Sequence, residues 1–284
     1  MAKMNDIATE GTTPGVRTKH TGYTVSDVID FLWQIAPPER KMDFDNVGLL
    51  VGSAGVMVSR ILVSLDITDE VIGEAEELGA ELIVSHHPLF FSLKTVTDGE
   101  PEGRKILRLA RNSISAICMH TNLDAADGGV NDALAAVLGL CNPRFAVPEG
   151  TDRSGRPYSC LRYGELERET DFSEYLTAVK KALNANGLRF VSSGSKVRRV
   201  AVLGGSGGSY LKAAVEAGCD TLLTADVKYS VFLEAKEAGV NLIDGDHFCT
   251  ENVIVPVLAG KLRERFEGTN VYVSDKHRQT AQFF

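Results

Sequence analysis

The sequence has 284 residues, which is enough for one large domain or two of ordinary size. Its 44% apolar and 24% charged residues are typical of a packed globular protein. The formal net charge of −8 excludes a global field that attracts nucleic acid or anionic membranes, so we expect neither as a partner.

The five cysteines predict a reducing environment. They are odd in number, widely spaced and without a CxxC pair, so they indicate neither a thiolate zinc site nor a disulfide framework. We expect them to be small buried apolar side chains. No apolar run approaches the roughly 20 residues that span a bilayer. Together these features predict a cytoplasmic protein without membrane contact.

The first 22 residues are predicted to be a disordered leader. They are polar, rich in Gly and Thr, and lack the apolar segment of a secretion signal. Structure is expected from about Val25 onward. This gives three predicted regions, namely a leader at 1–22, a first half at 23–145 and a second half at 146–284.

The first half is predicted to alternate helices and strands. Its first helix has apolar residues at helical spacing and ends before Pro37-Pro38. Asp66 and Thr68 are candidate caps for the next helix, and Gly79 is its predicted stop. The predicted elements are strands at 61–65, 82–84 and 114–119 and helices at 27–33, 69–78, 103–111 and 130–138.

The second half is predicted to repeat this alternation. Residues 142–157 contain three Pro and two Gly and are expected to be a connection. The predicted elements after it are strands at 159–163, 188–191, 200–203, 221–223, 241–243 and 271–273 and helices at 173–183, 210–217, 231–238 and 253–266.

Apolar strands that alternate with helices predict an α/β fold with mostly parallel sheets covered by helices. Residues 77–85 and 216–224 share one order: a helix end, a glycine, an acidic residue, an apolar strand and a hydroxyl residue. We interpret this as an internal duplication, with ordinary α/β similarity as the alternative. Two related, intertwined halves would place strand ends from both around one crevice, where ligands bind in such sheets.

Four of the six histidines follow predicted apolar strands: His86, His87, His120 and His247. One histidine at a strand end is usually a hydrogen-bonded polar residue, but four in one sheet indicate a metal site. Neighbouring side chains on an extended backbone point to different sides. His86 and His87 therefore suit two adjacent metals better than one. The remaining two, His20 and His277, lie outside this pattern.

Carboxylates follow two of these histidines at a spacing of four. Asp124 follows His120, and Glu251 follows His247. Thr250 is a predicted helix cap, which would place Glu251 in the first turn. Imidazole with carboxylate suits zinc, iron, manganese or nickel, and bridging carboxylates hold metal pairs in hydrolytic sites. The spacing alone is not specific, because HxxxD and HxxxE are common by chance.

Several motifs together resemble the Nif-three-like family, whose members are often labelled GTP cyclohydrolase type 2 homologues. They are HHP at 86–88, HTNLDAADGGVN at 120–131, TADVKY at 224–229 and HFCTE at 247–251. DNVGLLVG at 45–52 and SLDIT at 64–68 are also similar to its motifs, so the resemblance runs in order from about residue 25 to the C-terminus.

The resemblance implies a homohexamer and two divalent metal ions per chain. By motif, the implied metal ligands are His86, His87, Asp124, His247 and Glu251. Two positions depart from the family pattern. Asp246 stands where a small residue is usual, which would alter the charge beside the metals, and Ser230 stands where a histidine is frequent.

The glycine-rich segment 204–209, GGSGGS, has two interpretations. Its backbone N–H groups could hold a phosphate, or it could be a tight structural turn. The second is favoured, because the segment matches neither a Walker loop nor GxGxxG.

Two functions from different classes fit these observations. The first is a metal-dependent hydrolase with a small-molecule substrate, for which the resemblance implies a nucleotide such as GTP. His120 and Asp246 are its candidate proton-transfer residues. The alternative is a non-catalytic regulatory protein that binds metal or docks a partner.

Overall fold

The computed structural model describes residues 22–284. The predicted leader, except for its last residue, and His20 lie outside this part. The described chain contains fifteen strands: β1 (Tyr23–Thr24), β2 (Gly48–Val51), β3 (Met57–Val58), β4 (Arg60–Ser64), β5 (Leu82–Ser85), β6 (Ser115–Cys118), β7 (Cys141–Phe145), β8 (Gly150–Thr151), β9 (Pro157–Tyr158), β10 (Arg162–Thr170), β11 (Arg189–Val191), β12 (Val197–Ser206), β13 (Thr221–Ala225), β14 (Asn241–Asp244) and β15 (Asn270–Val273).

Ten α-helices occur in the same residues: α1 (Val25–Ile35), α2 (Asp69–Leu78), α3 (Pro101–Arg111), α4 (Thr121–Asp124), α5 (Val130–Val137), α6 (Phe172–Ala182), α7 (Leu211–Glu216), α8 (Tyr229–Glu237), α9 (His247–Glu251) and α10 (Ile254–Arg265). Two 3₁₀ turns, Pro38–Arg40 and Gly208–Tyr210, complete the set. None of these helices combines the length and the apolar character needed to cross a membrane.

Two larger sheets organise the described chain, and they confirm the predicted α/β class. The first has the strand order β15-β4-β5-β6-β2, in which only β2 is antiparallel to its neighbour. The second has the order β11-β14-β13-β12-β10-β7, in which β12, β13 and β14 are parallel. The outer strands of the second sheet are antiparallel, so that sheet is mixed.

Each sheet contains the same order of elements. In the first sheet the order is β4, α2, β5, α3 and β6, and in the second it is β12, α7, β13, α8 and β14. Each sheet also contains an edge strand from the other part of the chain. The C-terminal strand β15 pairs with β4 of the first sheet, and β7, which follows the first sheet in sequence, pairs with β10 of the second.

Side chains alternate between two apolar cores across each sheet. In β4, Ile61 and Val63 pack on one face with α1 and α10, whereas Leu62 packs on the other with α2 and α3. In the second sheet, Val200 and Val202 face one core and Ala201 faces another. Burial on both faces explains why these strands are continuously apolar in sequence.

Two sequence predictions need correction in the middle of the chain. Residues 142–157 are not only a connection, since most of β7 and the small β8–β9 hairpin lie there. The strand predicted at 159–163 is β10, which begins at Arg162 and extends to Thr170. Both strands are polar because β7 is an exposed edge and the end of β10 faces solvent, so their sequences lack an apolar pattern. Four of the cysteines are buried as expected, but Cys141 on β7 is exposed.

Candidate metal centre

The structure brings together side chains that follow three strands of the two sheets. His86 and His87 follow β5, and His120 follows β6 in the same sheet. His247 opens α9 directly after β14, the corresponding strand of the second sheet. Three overlapping groups of these residues have ligand atoms within 4.8 Å of one another: His86 with His87 and His120, His87 with His247 and Glu251, and His86 with Asp124 and Glu251.

Glu251 belongs to two of these groups. Its Oε2 lies 2.8 Å from His87 Nε2 and 3.0 Å from His247 Nε2, and the two Nε2 atoms are 3.3 Å apart. Two donors held 2.0–2.1 Å from one tetrahedral zinc ion would be about 3.3 Å apart. These three donors therefore have the spacing of a single coordination sphere.

The second group is buried and unsatisfied. His86 Nε2 lies 3.6 Å from Asp124 Oδ1 and 3.8 Å from Glu251 Oε2. Within residues 22–284, neither His86 Nε2 nor Asp124 Oδ1 has a hydrogen-bond partner, although both atoms are buried. Buried polar atoms are rarely left unpaired, so this donor set fits a bound cation.

Each of the four histidines uses its Nδ1 atom in a hydrogen bond with an oxygen. Such contacts fix the ring orientation and reserve Nε2 for a metal. The partners are the Met119 carbonyl for His86 (2.8 Å), Asp66 for His87 (2.8 Å), Asp45 for His120 (2.8 Å) and Asp226 for His247 (2.7 Å).

Sequence reasoning missed the role of these three carboxylates. Asp66 follows β4 and Asp226 follows β13, so the rule that located the histidines at strand ends would have found both. Asp45 lies in the irregular segment before β2, so no strand or helix in the sequence predicts its position. Its oxygens also accept hydrogen bonds from Thr121 N and Oγ1, which hold it against the start of α4.

The site concentrates negative charge that favours bound protons or cations. Burial opposes charge on His87, but hydrogen bonds with Asp66 and Glu251 outweigh it and raise its pKa to about 10. Burial likewise opposes charge on His247, and Glu251 with Asp226 raises its pKa to about 9. Burial and the nearby Glu251 charge raise the pKa of Asp124 well above its usual range.

Buried His86 differs from its neighbours. Burial, the dominant cause, lowers the pKa of His86 and keeps the imidazole neutral. A neutral imidazole is the form that binds metal. Burial opposes charge on Glu251, but hydrogen bonds with His247 and His87 and the nearby His86 ring outweigh it and hold its pKa well below its usual range. Glu251 is therefore a carboxylate anion.

The predicted cap of α9 was wrong. Thr250 lies inside the helix, and the N-cap is Asp246, whose side chain accepts a hydrogen bond from Cys249 N at 3.1 Å. The helix begins one turn earlier than expected, directly after Asp246, whose backbone has a positive φ of 72°. Glu251 is consequently in the last turn, four residues after His247 on the same helix face.

Two further histidines have positions that the sequence argument did not anticipate. His120, expected as a proton-transfer residue, lies within ligand distance of His86 and His87. His277, expected to be unrelated to the site, lies 2.7 Å from Asp66 Oδ2 through its Nε2 atom. Asp66 therefore bridges His87 and the C-terminal segment.

The glycine-rich segment 204–209 contains the end of β12 and the start of the 3₁₀ turn at Gly208–Tyr210, and it packs closely against Glu251. A Cβ on Gly205, which has φ +63°, would lie 2.1 Å from Glu251 Oε1. Three of the segment's N–H groups already donate to protein oxygens: Gly204 to Asn131 Oδ1, Gly205 to Thr250 Oγ1 and Gly207 to Thr224 Oγ1. These groups are not available for phosphate, which favours the structural interpretation.

Two cavities meet at His87 and His247. One, of about 480 Å³, extends past His120 to Phe44 and Phe91. The other, of about 630 Å³, extends along Asp246 to the C-terminal segment. Cavities of this size accommodate small molecules. Asp246 lines the second cavity, while Ser230 is an exposed residue of α8.

Comparison with known proteins finds relatives that match nearly the whole described chain. Residues 23–280 match the family described as Duf34/NIF3, NGG1p interacting factor 3. A protein of Clostridium perfringens named "GTP cyclohydrolase 1 type 2 homolog" is 35% identical over 254 residues, which cover 89% of this chain and 96% of that protein. A Streptomyces coelicolor protein of the same name is 36% identical and covers 89% of this chain and 87% of its own length.

Solved structures have the same fold. A hypothetical protein of Staphylococcus aureus superposes with a TM-score of 0.85 at 29% identity, covering 92% of this chain and 99% of that one. A Bacillus cereus protein related to NIF3 superposes with a TM-score of 0.87 over 93% of this chain and 100% of that one, at 24% identity.

Proposed function

This chain belongs to the Duf34/NIF3 family, and from that premise we propose that it is a dinuclear metal-dependent hydrolase with a nucleotide-like substrate. The proposed ligands of two divalent ions are His86, His87, Asp124, His247 and Glu251. Zinc, iron, manganese and nickel all suit these nitrogen and oxygen donors.

The observation that supports this proposal most directly is the position of Glu251. One carboxylate lies in contact with two histidines of the first donor group and beside the unpaired His86 Nε2 of the second. A shared carboxylate is the usual means of holding two cations a few Å apart. Separate mononuclear sites would not need one buried acid in both groups.

Bound divalent ions would supply Lewis acidity, which lowers the pKa of water and offsets negative charge in a transition state. The chain's own side chains would orient the metal ligands and transfer protons. Asp66 and Asp226 fix the rings of His87 and His247 through Nδ1. His120, held by Asp45, presents Nε2 to the 480 Å³ cavity and is the proposed proton-transfer residue.

The relatives' name, "GTP cyclohydrolase 1 type 2 homolog", suggests a purine nucleotide. A family fold does not determine a substrate, so the nucleotide enters from that name alone. Asp246 is a second proposed proton-transfer residue, although capping of α9 already engages one of its carboxylate oxygens.

The decisive experiment combines elemental analysis with a hydrolysis screen of nucleotides and phosphoesters. We expect turnover that rises with metal content and disappears on chelation. His120→Ala should retain most of the metal yet lose roughly 10²–10⁴-fold in kcat, the usual contribution of acid–base catalysis. Glu174→Gln, on the exposed surface of α6, is the matched control and should change neither.

The rival function predicts a different result. A non-catalytic metal-binding protein would hold the same metals and show no turnover that tracks metal content in any variant. Turnover that survives His86→Ala unchanged would also reject the hydrolase, because it would arise outside this site.

A further inference from the structure

The 480 Å³ cavity has an aromatic mouth that the metal centre does not explain. Phe44 and Phe91 are 64% and 54% exposed, and their ring centroids are 6.0 Å apart. The Phe91 ring is also 5.9 Å from His120, so a line of rings leads from solvent to the candidate ligands. Both phenylalanines line the cavity directly.

Adjacent exposed phenylalanines are costly unless something covers them. Single apolar residues on a surface are ordinary, but two neighbouring rings at the edge of a polar site are typical of ligand binding. Aromatic faces stack on flat rings, with a contribution beyond burial alone. The opposite wall includes Met42, Leu203 and Tyr210, which are also uncharged. The outer part of the cavity is therefore suited to a flat, largely apolar group.

The same cavity offers little to a polyphosphate. Among the described residues that line it, none is Lys or Arg, and the imidazoles of His87 and His247 already contact the carboxylates of Asp66, Asp226 and Glu251. The N–H group of Gly204, which lines it, donates to Asn131 Oδ1. The following helix, α7, has only six residues and adds no anion site. Nothing contributed by these side chains would select a triphosphate over a neutral group.

We propose that this cavity binds the heteroaromatic ring of a nucleobase or nucleoside against Phe91 and Phe44, and that selectivity lies in the ring and not in the phosphates. The inference rests on the proposed function, because it names the substrate class of that site. It differs from the triphosphate that the relatives' name suggests. Phe91 and Phe44 become substrate-specificity residues, with the ring edge directed toward the metal-binding side chains.

Binding measurements on the purified, metal-containing full chain test this inference. Guanosine, adenosine, GTP and inorganic tripolyphosphate are titrated by calorimetry, and metal content is measured on the same samples. We expect guanosine to bind and its affinity to stay within about threefold in the presence of tripolyphosphate, which bound divalent ions would also attract. Failure of guanosine to bind, or a tenfold or greater loss of its affinity with tripolyphosphate, would overturn the proposal.

Variants of Phe91 identify the ring contact. Phe91→Ala should weaken nucleoside binding by about 5- to 100-fold, the usual range for loss of one base–aromatic stack. Phe91→Tyr should retain it, whereas Phe91→Leu, which keeps apolar bulk but no ring, should not. Phe190→Ala is the matched control, since Phe190 is 53% exposed on β11 and packs against Phe172 away from this cavity.

The outcomes separate this inference from the proposed function. Nucleoside binding that depends on Phe91, in metal-containing protein that shows no metal-dependent turnover, would reject the hydrolase and support the ring site. Two metals per chain together with no nucleoside binding would support the metal centre and reject the ring site. A change in the assembly's mass by light scattering in Phe91→Ala would show that the rings contact another copy of the chain, which also overturns the proposal.

Discussion

His87 Nε2 and His247 Nε2 lie 3.3 Å apart although 160 residues separate them in sequence. His87 follows β5 of the first sheet, and His247 opens α9 after β14 of the second. The pair exists only when both sheets have folded and packed together. A ligand that binds both rings would therefore stabilise the contact between the sheets, so metal should raise the melting temperature.

Metal content should depend most strongly on Glu251. Because its Oε2 contributes to both donor groups, Glu251→Ala should remove most of both metals, whereas Asp124→Ala affects one group and should retain about one metal per chain. Elemental analysis of the purified variants measures this directly. Glu174→Gln should hold as much metal as the unmodified chain. Equal occupancy in Glu251→Ala would contradict the shared-ligand arrangement.

The carboxylates that contact the Nδ1 atoms of the histidines should strengthen metal binding. Asp66→Asn and Asp226→Asn remove the negative partner of Nδ1 in His87 and His247 while preserving side-chain shape. We expect metal dissociation constants about 10- to 100-fold weaker, the usual effect of losing such partners, with unchanged stoichiometry at saturating metal. Competition with a chromogenic chelator provides the measurement, and Asp98→Asn on an exposed loop is the control. Unchanged affinity would mean that these contacts do not orient the rings.

His277 provides a second measure of the same network. Its Nε2 holds the other oxygen of Asp66, so His277→Ala should weaken metal binding less than Asp66→Asn does. An effect larger than that of Asp66→Asn would indicate that His277 acts on the metals directly.

The sequence predicted the parts of this site that directly follow regular strands. His86, His87 and His247 were found because each follows an apolar strand, and parallel strands bring their ends to one edge. Asp45 could not be found in this way, since only the packing of an irregular segment against α4 brings it to His120. The start of α9 was misplaced because Asp246 caps the helix from an unusual backbone conformation with a positive φ, which no sequence pattern predicts.

The requirement for glycine at position 205 was also beyond the sequence. It arises from Glu251, which is distant in sequence and approaches the turn only in the folded chain. By contrast, Gly79 ends α2 in a left-handed conformation as predicted, since that stop depends only on local geometry.

Two glycine substitutions should have opposite effects on stability. Gly205→Ala forces a Cβ to 2.1 Å from Glu251 Oε1 on a backbone with φ +63°, and should destabilise the fold by about 1–3 kcal/mol and reduce metal content. Gly260→Ala lies within α10 with no atom within 4 Å of the new Cβ, and should stabilise by about 0.5–1 kcal/mol. Urea unfolding gives both values. Equal stability of the two variants would contradict the close approach at Gly205.

The family resemblance predicts a homohexamer. Light scattering at micromolar concentration should give a mass six times that of the single chain, and Glu251→Ala should keep this mass if assembly does not depend on metal. A stable monomer would reject the hexamer for this chain without affecting the metal-ligand assignment.

The pair Arg40–Asp152 should make stability depend on pH. Arg40 Nη2 lies 2.7 Å from Asp152 Oδ2, and both side chains are almost fully buried. Hydrogen bonds from Ser154, then Arg40 and Arg156 N, hold the pKa of Asp152 well below its usual range. A carboxyl whose pKa is lower in the folded chain than in the unfolded chain stabilises the fold above the unfolded value, about 3.9. That contribution is lost as the pH falls from about 4 toward the lower folded value.

We therefore expect Asp152→Asn to lower the urea midpoint at pH 7, because the variant leaves buried Arg40 without its anion. The difference from the unmodified chain should shrink as the pH falls below about 4, since the unfolded chain then takes up a proton at Asp152 while the folded chain still holds the carboxylate. Comparing the variants at each pH removes the contribution of other acidic groups. Glu174→Gln, which breaks only the exposed pair with Arg168, should leave the midpoint nearly unchanged at either pH. A difference that stays constant from pH 7 to pH 3 would show that the Asp152 charge does not stabilise this contact.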